Sequence, residues 1–324
     1  MKKSKASIIL NVIAITLSLL AIAATIFVGT NFELSRDFIQ SLSYQPAEGM
    51  DKIEKSLDLT YRGSLVFKAS NPELKTGQEY NDFCESHNAS ISILGCYKNE
   101  KILVYKIESR ELDGIIESTT AHEMMHAIWR RLPDPEKESL TKILKEEYEK
   151  NKTVLSIMEE YSEQVEADEL FARIGTEIHE IAPELEKVYA TYFEDRQKIV
   201  DYHDKYINVF NELSKKIKQL STEMDSLKKT IDEKVNNYIN RSEELKVKID
   251  EFNQCAETTD CYSYYTFNTK RSELQSEKNA LDDIYNEITG MTDSYNKKVE
   301  EYNSNALKTI YYTSITNSNI ERNE

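Results

Sequence analysis

Two histidines and a glutamate in the stretch TTAHEMMHAIW, residues 119–129, form the pattern HExxH. On a helix, His122 and His126 lie one turn apart on the same face, so both imidazoles can reach one zinc ion at about 2 Å. Glu123 lies beside them, where its carboxylate can take a proton from a water whose pKa the metal lowers. The pattern therefore predicts a hydrolytic Zn2+ site.

The same stretch has a second interpretation, in which two surface histidines share a polar helix face. Its apolar residues recur at the i, i+3, i+4, i+7 spacing of a stripe that faces a core, namely Met125, Ile128, Trp129 and Leu132. The histidines lead into this stripe. We therefore expect them at the edge of a buried surface and not squarely in water.

A catalytic zinc ion needs a third protein ligand and an open fourth position. In the predicted helix 156–178, one face carries Met158, Tyr161, Val165 and Ala172. Glu169 falls on that apolar face, where a carboxylate must be paired or bind a metal. We predict Glu169 as the third ligand and keep Glu166 and Glu163 as alternatives, although acids on a polar face need no partner.

The motif HEMMH is followed, 43 residues after its second histidine, by ELFAR. Together they resemble the gluzincin metallopeptidases, in which a second helix supplies a ligand glutamate. The compact lethal-factor-type catalytic domains have a similar spacing. The resemblance covers residues 60–205 and implies a zincin-like peptidase domain, with His122, His126 and Glu169 as ligands and Glu123 as the general base.

The resemblance also implies three further features. The strand before the HExxH helix, residues 101–107, would be an edge strand that pairs with an extended substrate peptide. A tyrosine or histidine would bind the developing oxyanion; we choose Tyr161, with His179, Tyr189 and Tyr192 as alternatives. Arg173 stands where such motifs frequently have an acid, so support for a ligand histidine must come from Glu166 or Asp168.

Strands are predicted before the HExxH helix and helices alone after it. Residues 61–70 have a strand pattern, 71–84 a short helix pattern, and 90–107 the pattern of a two-stranded hairpin. The HExxH helix itself is expected over 111–132, where the prolines of PDP at 133–135 end it. Residues 31–58 read as an amphipathic helical stalk.

A heptad pattern of apolar residues begins near residue 212 and predicts a coiled coil. Its first arm carries Leu213, Ile217, Leu220, Met224, Leu227 and Ile231; the second carries Leu274, Leu281, Ile284, Ile288, Met291 and Tyr295. The arms are nearly equal and flank a short polar tip. We therefore predict an antiparallel coiled-coil hairpin with a possible protein partner, followed by a loosely ordered tail.

The N-terminus carries three lysines before the uncharged run Ile8–Val28, whose 21 residues are about the number needed to span a bilayer. The lysines place the N-terminus in the cytoplasm and the body of the protein outside. A cleaved signal peptide is the alternative. Four cysteines fit an oxidising compartment, with Cys84–Cys96 and Cys255–Cys261 as the simplest disulfides.

The composition excludes one class of partner: a net charge of −16 argues against nucleic-acid binding. We predict a predominantly helical α+β protein with a small N-terminal sheet. Its parts are a transmembrane anchor (1–29), a zincin-like domain (30–205), the hairpin (206–305) and a flexible tail (306–324).

The predicted function is a cell-surface zinc metallopeptidase that acts on a peptide or protein substrate. One alternative is a surface-anchored coiled-coil interaction or adhesion protein with a vestigial zinc site. Another is a zinc amidase acting on cell-wall peptide bonds, which shares the same chemistry.

Overall fold

The computed structural model of the 324-residue chain describes residues 5–84, 94–151, 166–258 and 261–316. The fold is predominantly helical, with one three-stranded sheet and a long pair of helices among these residues. The chain divides into two compact units. The first contains Met1–Val209 and Ser314–Glu324, and the second contains Phe210–Thr313.

The elements follow one another along the chain in this order. The N-terminal part has α1 (Lys5–Thr30), α2 (Phe32–Leu42), α3 (Met50–Ser56), α4 (Tyr61–Ala69), β1 (Glu73–Lys75), α5 (Gly77–Cys84), β2 (Gly95–Lys98) and β3 (Lys101–Tyr105). After the sheet come α6 (Ile115–Arg131), α7 (Asp134–Lys150), α8 (Ala167–Glu177), α9 (Pro183–Tyr189), α10 (Gln197–Ala256) and α11 (Tyr264–Thr316).

The sheet has the strand order β1-β3-β2, with β1 parallel and β2 antiparallel to β3. Asn99 and Glu100 form the β2–β3 turn with positive φ angles of 52° and 61°, which matches the twist of a tight hairpin. The hairpin predicted over 90–107 is confirmed for its described residues. The predicted edge position of 101–107 is wrong, because β3 pairs on both sides. Among the described strands, β1 and β2 are the edges.

Residues 61–70 were predicted as a strand, and this prediction is wrong because they form α4. The hydroxyl of Thr60 accepts a hydrogen bond from the backbone N–H of Gly63 at 3.0 Å and so caps the helix. Tertiary burial of Val66 and Phe67 overrides the strand propensity of the segment. The short helix predicted over 71–84 is only partly correct, since Glu73–Lys75 pairs with β3 before α5 begins.

The predicted stalk over 31–58 is helical but does not stand apart from the core. Asp37 on α2 and Met50 at the start of α3 are fully buried, as is Leu57 just beyond α3. Helix α2 packs against α4, and α3 packs against α6. The amphipathic pattern of residues 31–58 predicts that one face of these helices is buried. Helices α4 and α6 of the first unit cover that face.

The HExxH motif lies on α6, and the helix predicted over 111–132 is confirmed. Helix α6 packs between the sheet and α8, with contacts to β2 and β3 on one side. Its core-facing residues are Ala121, Met124, Met125, Ala127 and Ile128, all fully buried. The helix ends at Arg131, and α7 begins directly after Pro133, so the proline separates two helices as expected.

The second unit is an antiparallel helix pair formed by parts of α10 and α11. The ion pairs Lys216–Glu301 and Lys248–Glu277, both at 2.8 Å, join positions that rise in one helix and fall in the other. The apolar residues of the heptad pattern form the seam between the two helices and are less exposed than their neighbours. Leu220, Leu245 and Leu281 are buried in this seam. The predicted tail over 306–324 is wrong in its first part, because α11 continues to Thr316.

The predicted N-terminal anchor requires correction. Helix α1 exists over Lys5–Thr30, but among the described residues no helix is both long enough and apolar enough to cross a membrane. The prediction relied on the lack of charge in the run, which also contains hydroxyl residues that bond to backbone carbonyls within the helix, namely Thr16, Ser18 and Thr25. The predicted single-pass topology and cell-membrane localisation are therefore contradicted. The membrane was predicted as a partner only through this anchor.

The cysteines lie in two pairs at disulfide distance, in agreement with the local pairing. The Cα atoms of Cys84 and Cys96 are 5.7 Å apart, and those of Cys255 and Cys261 are 5.3 Å apart. The first pair joins the end of α5 to β2. The second joins the C-terminal end of α10 to the segment just before α11. Near this bond, the ring of Phe252 packs against the rings of Tyr262 and Phe267.

Candidate metal centre

Two helices bring three possible metal ligands together. Helix α6 presents His122 and His126 one turn apart, with ring centroids 5.0 Å apart. Helix α8 presents Glu169 from its first turn, so the carboxylate Oε2 lies 3.8 Å from His122 Nε2 and 3.5 Å from His126 Nε2. One ligand atom from each residue lies within 4.8 Å of the other two. Of the described residues, only these form such a cluster.

The distances fit a tetrahedral ion. Ligand atoms bound at about 2.0–2.2 Å in a tetrahedron are separated by about 3.4 Å, close to both measured nitrogen–oxygen separations. Two neutral imidazoles and one carboxylate are ligands that zinc accepts in catalytic sites. The Glu169 side chain is 38% exposed, which leaves solvent access to the centre. The donor set therefore fits Zn2+ with one position open.

Asp168 supports one of the histidines from outside the cluster. Its carboxylate Oδ1 accepts a hydrogen bond from His126 Nδ1 at 2.9 Å. This bond leaves Nε2 of His126 as the atom facing Glu169, and it fixes the orientation of the ring. Of the two candidates for this supporting role, Asp168 is the one within hydrogen-bond distance of His126. Arg173 instead binds Glu177 through two hydrogen bonds of 2.8 and 2.7 Å.

The carboxylate of Glu169 and the protonated imidazoles of His122 and His126 stabilise one another's charges. Burial by itself would raise the pKa of Glu169, but the two imidazoles hold that pKa well below its usual range. Burial would lower the pKa values of both histidines. Glu169 nevertheless raises the pKa of His122 above its usual value. Asp168 and Glu169 together raise the pKa of His126 well above its usual value. Metal binding requires neutral imidazoles, so it must displace the protons that these carboxylates favour.

Glu123 lies on the buried side of α6, with only 6% of its surface exposed. Burial raises the pKa of its carboxyl group, while His122 and His126 act in the opposite direction. Within the described residues, no hydrogen bond holds its carboxylate. A Cβ atom placed on Gly95 would lie 2.6 Å from Glu123 Cγ, so the carboxylate occupies space next to β2.

Of the alternative third ligands, Glu166 alone lies among the described residues. Glu166 is exposed at the N-terminal cap of α8 and is outside the cluster. Glu163 falls outside the described residues, and so does Tyr161, the predicted oxyanion stabiliser. The prediction for Tyr161 therefore stays a prediction.

The other candidates for the third ligand or the oxyanion stabiliser have partners of their own. His179 bonds to Gln197 and Asp204, each at 2.8 Å, through its two ring nitrogens. The Tyr189 hydroxyl is buried and donates to the carbonyl of Phe171 at 2.8 Å. Tyr192 is buried as well. Tyr189 and Tyr192 are thus held in the core around α8 and α9, while the half-exposed His179 joins the loop after α8 to α10.

Two features near the centre were not predicted. Gly95 lies against Glu123, and a glycine at the start of a strand gives no signal of a neighbour that is distant in sequence. Arg131, at the end of α6, donates to Asp37 Oδ1 and to the Tyr97 hydroxyl at 2.9 and 3.1 Å. An arginine in the last turn of a helix is ordinarily exposed, so only the fold reveals this buried pair.

Comparison of the chain with protein-family models, with curated proteins and with solved structures finds no match. The likeness to gluzincins therefore depends on the HEMMH and ELFAR residues alone. Membership of that family stays a prediction, and the function has to be argued from the geometry of the centre.

Proposed function

We propose that this protein is a zinc-dependent peptidase of the zincin type, with its active centre on α6 and α8. One observation carries the proposal: ligand atoms of His122, His126 and Glu169 converge within 4.8 Å, and the buried Glu123 follows the first of them directly. A carboxylate from a second helix beside both imidazole rings favours a three-ligand site over two separate surface histidines. A ligand set with an adjacent general base is the arrangement that zinc hydrolases use.

The residues divide the work of hydrolysis among them. His122, His126 and Glu169 would hold the zinc ion, which would supply a Lewis acid for the peptide carbonyl and lower the pKa of the attacking water. Glu123 would serve as general base toward that water and then as general acid toward the leaving amine. Asp168 keeps His126 in the tautomer whose Nε2 lone pair faces the ligand cluster.

The sheet supports a modified proposal for substrate binding. Of the described strands, β2 pairs only with β3, and Gly95 at its start lies next to Glu123. An extended peptide that adds to the free edge of β2 would run past the general base. We therefore assign the role first given to 101–107 to Gly95–Lys98, and propose that an extended peptide or protein segment is the substrate.

The proposal is tested by metal content and peptide cleavage in the full-length chain. The wild type is expected to bind one zinc ion and to cleave members of a peptide library. Glu123→Gln should keep the zinc ion and lose activity by at least about 100-fold, because it lacks the base. Glu169→Gln should lose zinc affinity, since an amide is a much weaker zinc ligand than a carboxylate.

Glu166→Gln is the matched control, because Glu166 lies three residues from Glu169 but outside the cluster. It should retain both zinc and activity. A wild type that binds no zinc contradicts the proposal. Zinc binding that survives Glu169→Gln but not Glu166→Gln would transfer the third ligand to Glu166.

The helix pair supports a second function, binding of a protein partner. Tyr264 and Tyr265 at the start of α11 are among the most exposed aromatic residues of the described chain. Tyrosine is enriched in protein interfaces because it offers a large contact area at low entropic cost. Replacement of both residues by serine should weaken partner capture and leave zinc content unchanged, which separates this function from hydrolysis.

A further inference from the structure

We propose that Gly95 and the Cys84–Cys96 disulfide position the general base Glu123, so that hydrolysis depends on the oxidised state of this disulfide. The inference depends on the proposed peptidase function and adds its regulation. Gly95 acts here as a positioning residue, because its missing side chain makes room for Glu123, while the proposed pairing of Gly95–Lys98 with a substrate peptide uses backbone groups that Gly95→Ala retains.

Gly95 leaves the space that the Glu123 side chain fills. A Cβ atom at this position would lie 2.6 Å from Glu123 Cγ, 2.7 Å from Glu123 Oε1 and 2.7 Å from Thr119 Cγ2. Real Cβ contacts are essentially never this short, so one of the neighbours must move. The general base therefore lies directly against the backbone of β2.

If Gly95 carried a Cβ atom, the side chain of Glu123 is the neighbour that would move. No hydrogen bond within the described residues holds its carboxylate, whereas the backbone of β2 is fixed by its ladder with β3. Helix α6 is fixed by the fully buried Ala121, Met124 and Met125. The position of β2 relative to α6 consequently sets where the Glu123 carboxylate lies.

The disulfide holds β2 from its other face. Successive strand residues point to opposite sides, so Gly95 and Tyr97 face α6 while Cys96 points away. The contacts agree: Tyr97 reaches Arg131 of α6, and Cys96 reaches Cys84 at the end of α5. Helix α5 is itself anchored by the buried Tyr80, whose ring packs on Tyr105 of β3 at 5.2 Å. The strand is thus clamped between α6 and α5.

Reduction of Cys84–Cys96 removes one side of this clamp. Both cysteines are partly exposed, so a reductant can reach them. A water-soluble phosphine attacks one sulfur and breaks the S–S bond. The disulfide takes up two electrons and two protons to give two thiols, and the phosphine becomes its oxide with oxygen from water. Strand β2 then keeps its pairing with β3, its packing on α6 and non-covalent contacts with α5, among them the hydrogen bond that Lys98 Nζ donates to the carbonyl of Phe83.

The chain contains its own control. Cys255–Cys261 is a second disulfide, in the other compact unit, and Glu123 belongs to the first unit. A phosphine reduces both bonds, but paired serine variants separate their effects. The zinc ligands lie on α6 and α8 and not on β2, so zinc content should not respond to either disulfide.

The experiment measures kcat, KM and zinc content of full-length chains with and without the phosphine. Reduction of the wild type should lower kcat about 10- to 100-fold with zinc retained, because a displaced base is poorly aligned. Reoxidation should restore it. The double variant Cys84→Ser, Cys96→Ser should be equally impaired and insensitive to reduction. The double variant Cys255→Ser, Cys261→Ser should behave like the wild type.

Gly95→Ala tests the contact without breaking any disulfide. It should lower kcat by a similar factor in the oxidised protein, while zinc content and far-ultraviolet circular dichroism stay unchanged. Wild-type kcat in Gly95→Ala, or in the zinc-loaded Cys84→Ser, Cys96→Ser variant, overturns the inference alone. Absence of hydrolysis by the oxidised wild type contradicts the proposed function itself and removes the inference with it.

Discussion

Asp168 lies outside the proposed ligand set but contacts one of its histidines. Its carboxylate accepts a hydrogen bond from His126 Nδ1 at 2.9 Å, a contact that an ion pair would also form and that in a zinc site would orient the ring and raise its basicity. An acid outside the ligand set, at hydrogen-bond distance from a ligand ring, is the usual companion of histidine in zinc sites. The centre thus has support beyond its three proposed ligands.

We predict that Asp168→Ala lowers zinc affinity about 10- to 100-fold without unfolding the protein, since the ring of His126 loses its orientation. Competition with a chromogenic chelator measures this affinity. Asp204→Ala is the control, because Asp204 binds His179, which is outside the cluster. Equal affinities in Asp168→Ala and the wild type would remove Asp168 from the centre.

Asp37 has a structural importance that its position near the N-terminus does not suggest. Its carboxylate is fully buried and accepts a hydrogen bond from Arg131 Nε at 2.9 Å, and Arg62 lies 3.2 Å from its second oxygen. The pair connects α2 to the end of α6. Removal of one partner of a buried ion pair leaves the other charge uncompensated in the interior.

Asp37→Ala should therefore lower the free energy of unfolding by about 3–5 kcal/mol. Urea denaturation measures the loss. Asp134→Ala, at an exposed carboxylate in the first turn of α7, should cost less than about 1 kcal/mol. A loss at Asp37 as small as that at Asp134 would show that the Arg131 guanidinium finds another partner.

At the scale of elements, α8 is held in place at both of its ends. Its first turn supplies Asp168 and Glu169, and its C-terminal carbonyls are bound by the buried Arg196, which donates to Gly175 and Ile178 at 3.2 and 2.7 Å. The following loop is tied to α10 by His179. Contacts of Gly175, Ile178 and His179, which follow Glu169 by six to ten residues, therefore help to hold the helix that carries it.

The His179 contact predicts a pH dependence of stability. Its hydrogen bond to Asp204, followed by that to Gln197, raises the pKa of His179 above the ordinary 6.5. A raised pKa in the folded state stabilises the protein below pH 6.5, and this contribution is lost as the pH rises through the folded pKa. His179→Ala should therefore cost more stability at pH 5.5 than at pH 8.5.

The difference should stay below about 1 kcal/mol, because the pair is half exposed and screened by solvent. Thermal unfolding of both proteins at the two pH values measures it. An effect of His179→Ala that is independent of pH would mean that the ring acts by packing and not by charge.

Elements with a strong local signal could be predicted from the sequence, and elements decided by tertiary contacts could not. The apolar stripe after His122 predicted α6, and alternating residues with a short polar turn predicted the β2–β3 hairpin. Residues 61–70 carry strand-forming side chains, yet a cap at Thr60 and burial on a helix face produce α4. The sequence also did not predict that β3 is the central strand of the sheet, because its neighbour β1 is only three residues long and has no clear strand pattern.

At the scale of the whole molecule, the proposed centre and the helix pair belong to different compact units. The heptad pattern predicted the pair, since it repeats over many turns. It could not predict where the pair ends, because α11 continues to Thr316 past the last regular heptad. The motif predicted His122, Glu123 and His126. Glu169 was chosen from the phase of one helix over 156–178, and that helix is wrong, because Glu166 is extended and α8 begins at Ala167. Gly95 and Asp37 required the fold.

This division predicts that damage to the helix pair leaves metal binding intact. Leu245→Asp places a charge at a buried seam position and should reduce helicity and thermal stability, with zinc content unchanged. Val247→Asp, two residues away and 57% exposed, should change neither. Circular dichroism and metal analysis report the two effects separately. Loss of zinc in Leu245→Asp would show that the units depend on one another.

The most direct test of the central claim is an anomalous difference map from crystals of the full-length protein, collected on both sides of the zinc absorption edge. The account predicts one peak, bound by His122 Nε2, His126 Nε2 and a Glu169 carboxylate oxygen at about 2.0–2.2 Å. Crystals grown with zinc present that show no peak among these three residues, or a peak held by other side chains, would contradict it.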